Sequence, residues 1–185
     1  MKEKIIEYYE NTRQYYGTYH NHKEVSAWAG LALYVLFASL INGVRLPDAF
    51  KIIGTSVITV FVLVVASLVY RYISTQLKMK DLAGAYAAAA FSFLIELIVS
   101  DKSDEQLKND LRVEESVDTD AQSSHVLPEI FLKKAKVLNT RGRGFQDTTR
   151  SMIYGILILV TALVIILKWG QAIGCTSSGG FGLAY

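Results

Sequence analysis

Three side chains of metal-ligand type lie within five residues near the start of the chain: His20, His22 and Glu24. On a helix, His20 and Glu24 stand at i and i+4 and can share one ion, while His22 points away from them by about 200°. Two ligands do not make a site. The third histidine, His125, is far along the chain with no cluster to complete it, so no metal is assigned. Glu96 is the only acidic residue inside an apolar run. It is a candidate intramembrane or bundle carboxylate, able to line an ion path, but a helix-surface position facing water or an arginine is favoured. RGRGF sets Arg141 and Arg143 among glycines, a short pattern able to hold phosphate. There is no GxSxG, HExxH, P-loop or paired-carboxylate pattern. We therefore expect neither an enzyme nor a cofactor.

The segment YYENTRQYYGTYHNHKE carries five of the eleven tyrosines. Ile5, Tyr8, Tyr9, Thr12, Tyr15, Tyr16 and Tyr19 recur at three- and four-residue steps, which is one face of a helix and close to a heptad seam. A tyrosine-rich face buries large rings but leaves a hydroxyl on each to satisfy, so it suits a wet interface better than a dry core. Tyr8, Tyr9, Tyr15, Tyr16, Tyr19 and His20 are thus expected to pack against the helix of 78–99 or against a second copy. Binding of another partner is the less favoured use of this face.

The elements that must position these residues follow from composition. The chain has 185 residues, 51% of them hydrophobic, with 19% charged and two prolines. Its mean hydropathy is +0.28. The apolar residues are gathered in blocks, which points to an all-α membrane protein. VSAWAGLALYVLFASLING (25–43), IIGTSVITVFVLVVASLVY (52–70) and SMIYGILILVTALVIILKWG (151–170) are each about long enough to cross a bilayer core, which takes roughly 20 residues. Valine and isoleucine favour strand in water, but a lone segment in lipid must satisfy its own backbone, so helix is expected. Trp28 and Trp169 fit interfacial anchors. NGVRLPD reads as a turn, with Asp48 placed to cap the next helix. Small residues in the spans (Ala29, Gly30, Ala32, Gly54, Ser56, Ser67, Gly155, Ala162) suit close helix approach. Residues 1–24 are polar and charged, so the first apolar run is expected to act as its own uncleaved insertion signal. One cysteine, Cys175, excludes an intrachain disulfide.

The remaining segments are sorted by charge. Segment 84–99 is short for a span and carries Glu96, so a cytoplasmic helix over 71–100 is expected in preference to a further crossing. Residues 101–126 hold eight acidic and three basic residues, a net charge of −5, and read as a mobile acidic loop. Residues 127–150 hold six basic and two acidic residues, a net charge of +4. Within them Ile130, Phe131, Lys134 and Val137 fall at helical spacing, so a short basic helix is expected. Lys133, Lys134, Lys136, Arg141 and Arg143 are its candidate contacts to anionic lipid. The tail, 171–185, is glycine-rich. Three spans put Lys2, Lys4, Arg13, Lys23 and the twelve basic residues of 71–150 on one side, against Arg45 and Lys51 on the other. By the positive-inside rule the N-terminus and the large loop are expected to be cytoplasmic, in a multi-pass membrane protein. A net charge of +2 makes no case for nucleic acid.

The layout of YYENTRQYYGTYHNHKE, the NGVRLPD turn and KMKDLAGAYAAAAF resembles the SLATT-type bacterial membrane effectors of nucleotide-signalled antiviral defence, over roughly residues 1–100. That pattern has two spans, and the span at 151–170 and the tail depart from it. The resemblance implies an effector that oligomerises and permeabilises the inner membrane, held quiet until a soluble cytoplasmic regulator or ligand acts on it. The alternative is a non-conducting adaptor or subunit that docks a soluble partner.

Overall fold

The computed structural model describes residues 2–99, 129–142 and 148–174, and of 129, 130 and 140–142 the backbone alone. Every element is helical: α1 is Lys2–Gly43, α2 Lys51–Val99, α3 Glu129–Gly142 and α4 Thr148–Ile173, with a 3-10 turn at Asp48–Phe50 ahead of α2. There is no strand among the described residues. Three of the helices, α1, α2 and α4, are long and apolar enough to cross a membrane. The expected acidic loop at 101–126, the tail beyond 174 and Arg143 lie outside the described residues, as does the side chain of Arg141.

The tyrosine segment and the first apolar run form one helix, and so do the second apolar run and 84–99. At 1.5 Å per residue, the 49 residues of α2 extend over about 74 Å. The helix runs through 84–99 without a break at which the chain could reverse. The loop before it is held by Val44 N–H donating to Ile41 O (3.2 Å) and Phe50 N–H to Pro47 O (3.0 Å). Asp48 does not cap. Pro47 takes that position without a side-chain bond, and the Asp48 carboxylate pairs with Lys51 one turn on. The carboxylate thus lies at the positive end of the helix dipole. α4 begins three residues before the apolar run and extends three past it, ending at Gly174, whose φ of +74° is the left-handed C-terminal conformation that glycine adopts without strain.

The chain folds as two compact units, Met1–Val25 with Gln76–Gln146, and Ser26–Thr75 with Asp147–Tyr185. In the first, the start of α1 packs against the end of α2 and against α3. Its core is Ile5, Tyr9, Ala89, Ala90, Leu94, Leu97, Phe131 and Ala135. The alanines matter because a methyl group is all that separates the α2 backbone from the rings laid on it. In the second unit, the rest of α1, the start of α2 and α4 form a three-helix bundle around Ala38, Val62 and Val164. The buried positions of α1 there, Ala27, Leu31, Tyr34 and Ala38, step by four, three and four residues, and those of α4, Ile153, Leu157, Val164 and Lys168, keep the same seam. The outward positions are also apolar: Leu33, Leu36, Leu40, Ile53, Val57, Val60, Ile158, Leu159 and Ile166 are exposed. Only 11% of the most apolar window of α2 is buried. Such a surface belongs in lipid rather than water.

Five hydroxyls in this bundle are satisfied within their own helices. Ser39, Ser56, Thr59, Ser67 and Thr161 each donate to the carbonyl four residues back. Among the small residues, Gly30 lies beneath the Tyr72 ring and Gly54 against Leu46, where a Cβ would come within 2.8 and 2.9 Å. Gly155 has open space around it, and Ala29, Ala32 and Ala162 are exposed.

Candidate functional site

The tyrosine face divides between the interior of the first unit and its surface. Tyr9 is 3% exposed. Its ring stacks on Phe93 (5.5 Å between centroids) and Phe131 (6.2 Å). Tyr16 lies against Tyr86 at 4.8 Å, and Tyr86 continues the stack onto Phe131 at 6.0 Å. Tyr9 is therefore internal, seated in the ring-sized space above Ala89 and Ala90, while Tyr16 is half-buried against Tyr86. Tyr8 and Tyr15 are the outward pair, 41% and 56% exposed, and Tyr15 stacks on Tyr19 at 6.4 Å. Lys23 Nζ sits 4.8 Å over the Tyr19 ring. Burial pushes the Tyr16 hydroxyl above the ordinary tyrosine value, and Tyr86, Tyr15, Tyr8 and Tyr19 add to this. Burial raises Tyr86 as well.

Lys80 meets both His20, through its backbone carbonyl, and Glu24, through its ammonium. His20 Nδ1 lies 3.0 Å from the carbonyl oxygen of Lys80, and the Lys80 ammonium pairs with Glu24 at 3.1 Å. Lys80 is buried, so the carboxylate is what makes its charge tolerable there. Gly84 allows the imidazole in, since a Cβ at this position would stand 3.1 Å from Nδ1. Among the described residues no three His, Cys, Asp or Glu side chains gather.

Glu96 is a half-exposed surface carboxylate of the first unit, 3.7 Å from Lys134 Nζ. Lys134 also lies 4.4 Å over the Phe93 ring. Among the expected lipid contacts, Lys134 is thus tied to the helical core, while Lys133 and Lys136 are exposed. The buried face of α3 is Phe131, Ala135 and Leu138, not Val137, which is 49% exposed. With Phe131 seated among three rings, its i+4 and i+7 neighbours are carried inward and Val137 falls outside.

The second unit holds a site around a buried lysine that the charge count passes over. Lys168 is 2% exposed. It donates to Asn42 O (2.9 Å), Val44 O (2.6 Å) and Gln171 Oε1 (3.3 Å). All three ammonium hydrogens are used, two of them on carbonyls that α1 leaves open at its C-terminus. Beside it is a cleft of about 570 Å3 lined by Asn42, Arg45, Asp48, Lys51, Thr55 and Gln171, among others. Trp169, expected as an interfacial anchor, donates its indole N–H to Thr59 Oγ1 at 3.2 Å. Nearer the middle of the bundle, Tyr34 OH lies 2.6 Å from Thr161 Oγ1. The one hydroxyl hydrogen of Thr161 goes to Leu157 O, so Tyr34 is the donor.

These features define an all-helical protein with three candidate membrane spans, an aromatic helical bundle and a lysine-capped helix hairpin. No family model, curated protein or solved structure matches the chain.

Proposed function

We propose that the protein is an oligomeric effector of a bacterial inner membrane. It permeabilises that membrane when a signal reaches its cytoplasmic part. The carrying observation is the outward tyrosine pair. Tyr8 and Tyr15 project from a helix whose adjoining face is already filled by Tyr9, Tyr16 and their aromatic neighbours. Large rings with hydroxyl tips form a face suited to a second copy. The span bundle supports the same reading, because its interior is occupied by Ala38, Val62 and Val164. A single copy packed in this way has side chains where a solute path would run, so permeation needs several copies or a rearranged bundle. The N-terminus and the loop of 101–150 are cytoplasmic in this reading, following the distribution of lysine and arginine.

The second reading is a non-conducting adaptor whose tyrosine face docks a soluble protein. Membrane potential in bacteria, followed with a voltage-sensitive dye during induced expression, separates the two. The effector reading expects depolarisation by the full chain, relieved by Tyr8→Ala with Tyr15→Ala at equal membrane insertion. Cells that stay polarised while the full chain co-purifies with a soluble partner would favour the adaptor.

A further inference from the structure

The cleft beside Lys168 has the composition of an anion site. Arg45, Lys51 and Lys168 line it against a single carboxylate, Asp48. Lys168 has no hydrogen left to give, so it contributes charge and rigidity. Lys51 keeps two ammonium hydrogens beyond its pair with Asp48. Arg45 is exposed at the turn and offers five donors in a planar fork that matches phosphate. Thr55, also lining the cleft, is 2% exposed. The volume is in the range of small-ligand pockets, which is roughly 300–1,000 Å3. The cleft lies where α1, α2 and α4 of the bundle begin or end, and the apolar outer faces of those helices lead up to it.

We propose that this cleft binds the headgroup of an anionic phospholipid, with Arg45 and Lys51 on the phosphate. Its acyl chains lie along the apolar outside of the bundle. Phosphatidylglycerol has a net negative headgroup, whereas phosphatidylcholine adds a cation that the cleft repels. The inference does not depend on pore formation. It rests only on the three helices crossing a membrane, and a chain that fails to partition into membranes would show that failure before any lipid is measured.

The test is native mass spectrometry of the full chain released from mild detergent, supplied with phosphatidylglycerol or phosphatidylcholine. The wild type is expected to keep one phosphatidylglycerol and to lose phosphatidylcholine. Arg45→Gln with Lys51→Gln, both outside the bundle core, is expected to lower phosphatidylglycerol retention about tenfold at unchanged helicity. Equal retention of the two lipids by the wild type overturns the proposal, and so does retention unchanged in the double variant. Inorganic phosphate supplies the other source of the same chemistry. If it displaces the lipid and raises the thermal stability of lipid-free protein to the same extent, the occupant is a free anion and the lipid assignment falls.

Discussion

At the scale of single residues, the span bundle is organised by a few directed polar contacts. The Tyr34–Thr161 pair is asymmetric, and the asymmetry predicts unequal mutants. Tyr34→Phe removes the donor, while Thr161 keeps its bond to Leu157 O, so we expect a loss of about 0.5–1 kcal/mol. Thr161→Val leaves a buried tyrosine hydroxyl without its acceptor and should cost about 1–3 kcal/mol. Unfolding in mixed detergent measures both, and equal losses would mean that the donor assignment is wrong. Lys168→Met tests the helix cap in the same assay. It strips a charged donor from Asn42 O and Val44 O, and the expected loss is about 2–4 kcal/mol.

At the scale of elements, the first unit depends on rings seated over alanines. Phe131 is fully buried and touches Tyr9, Tyr86 and Phe93. Phe131→Ala should cost about 3–5 kcal/mol and detach α3, read as faster proteolysis within 129–142. The Tyr16–Tyr86 contact makes this unit sensitive to alkali. Both hydroxyls titrate above the ordinary value of 10.0 because burial disfavours tyrosinate. A raised folded value means that the contribution to stability is complete below 10.0 and is lost as pH climbs through the higher folded value. Tyrosinate absorbance in an alkaline titration should show late-titrating tyrosines, and Tyr16→Phe with Tyr86→Phe should reduce the late phase. Titration of every tyrosine at the ordinary value would mean that the contact is not kept in solution.

At the scale of the whole molecule, what matters is which ends meet which side of the membrane. The positive-inside count predicts that a cysteine placed at Lys4 is shielded from an impermeant thiol reagent in intact cells, in a Cys175→Ser background. One placed at Arg45 should react. The reverse pattern would invert the proposed orientation and put the anionic-lipid cleft in the inner leaflet. Deletion of 113–124, a stretch read from sequence as solvated, is expected to leave the amount of membrane-inserted protein unchanged.

Much of this architecture was legible in the sequence because length and apolarity are local properties. Eighteen or more apolar residues in a row must satisfy their own backbone in lipid, so helices over 25–43, 52–70 and 151–170 follow without tertiary information. The three-and-four spacing of Ile5 to Tyr19 likewise announces a helix face. Tertiary structure alone decided which side of each helix is inside. In water an inward stripe stands out by contrast with polar neighbours, but in lipid the outward face is apolar too. Leu33, Leu36 and Leu40 therefore look more like a core than Ala27, Tyr34 and Ala38, which are the residues buried. The same limit hid the division of the tyrosines. Tyr9 and Tyr8 are neighbours of one type, and only the space over Ala89 and Ala90 takes one in and leaves the other out. Lys168 and Lys80 were unreadable for a related reason. Their partners are a helix end more than 120 residues away and a glutamate of the preceding helix, and no local pattern marks either.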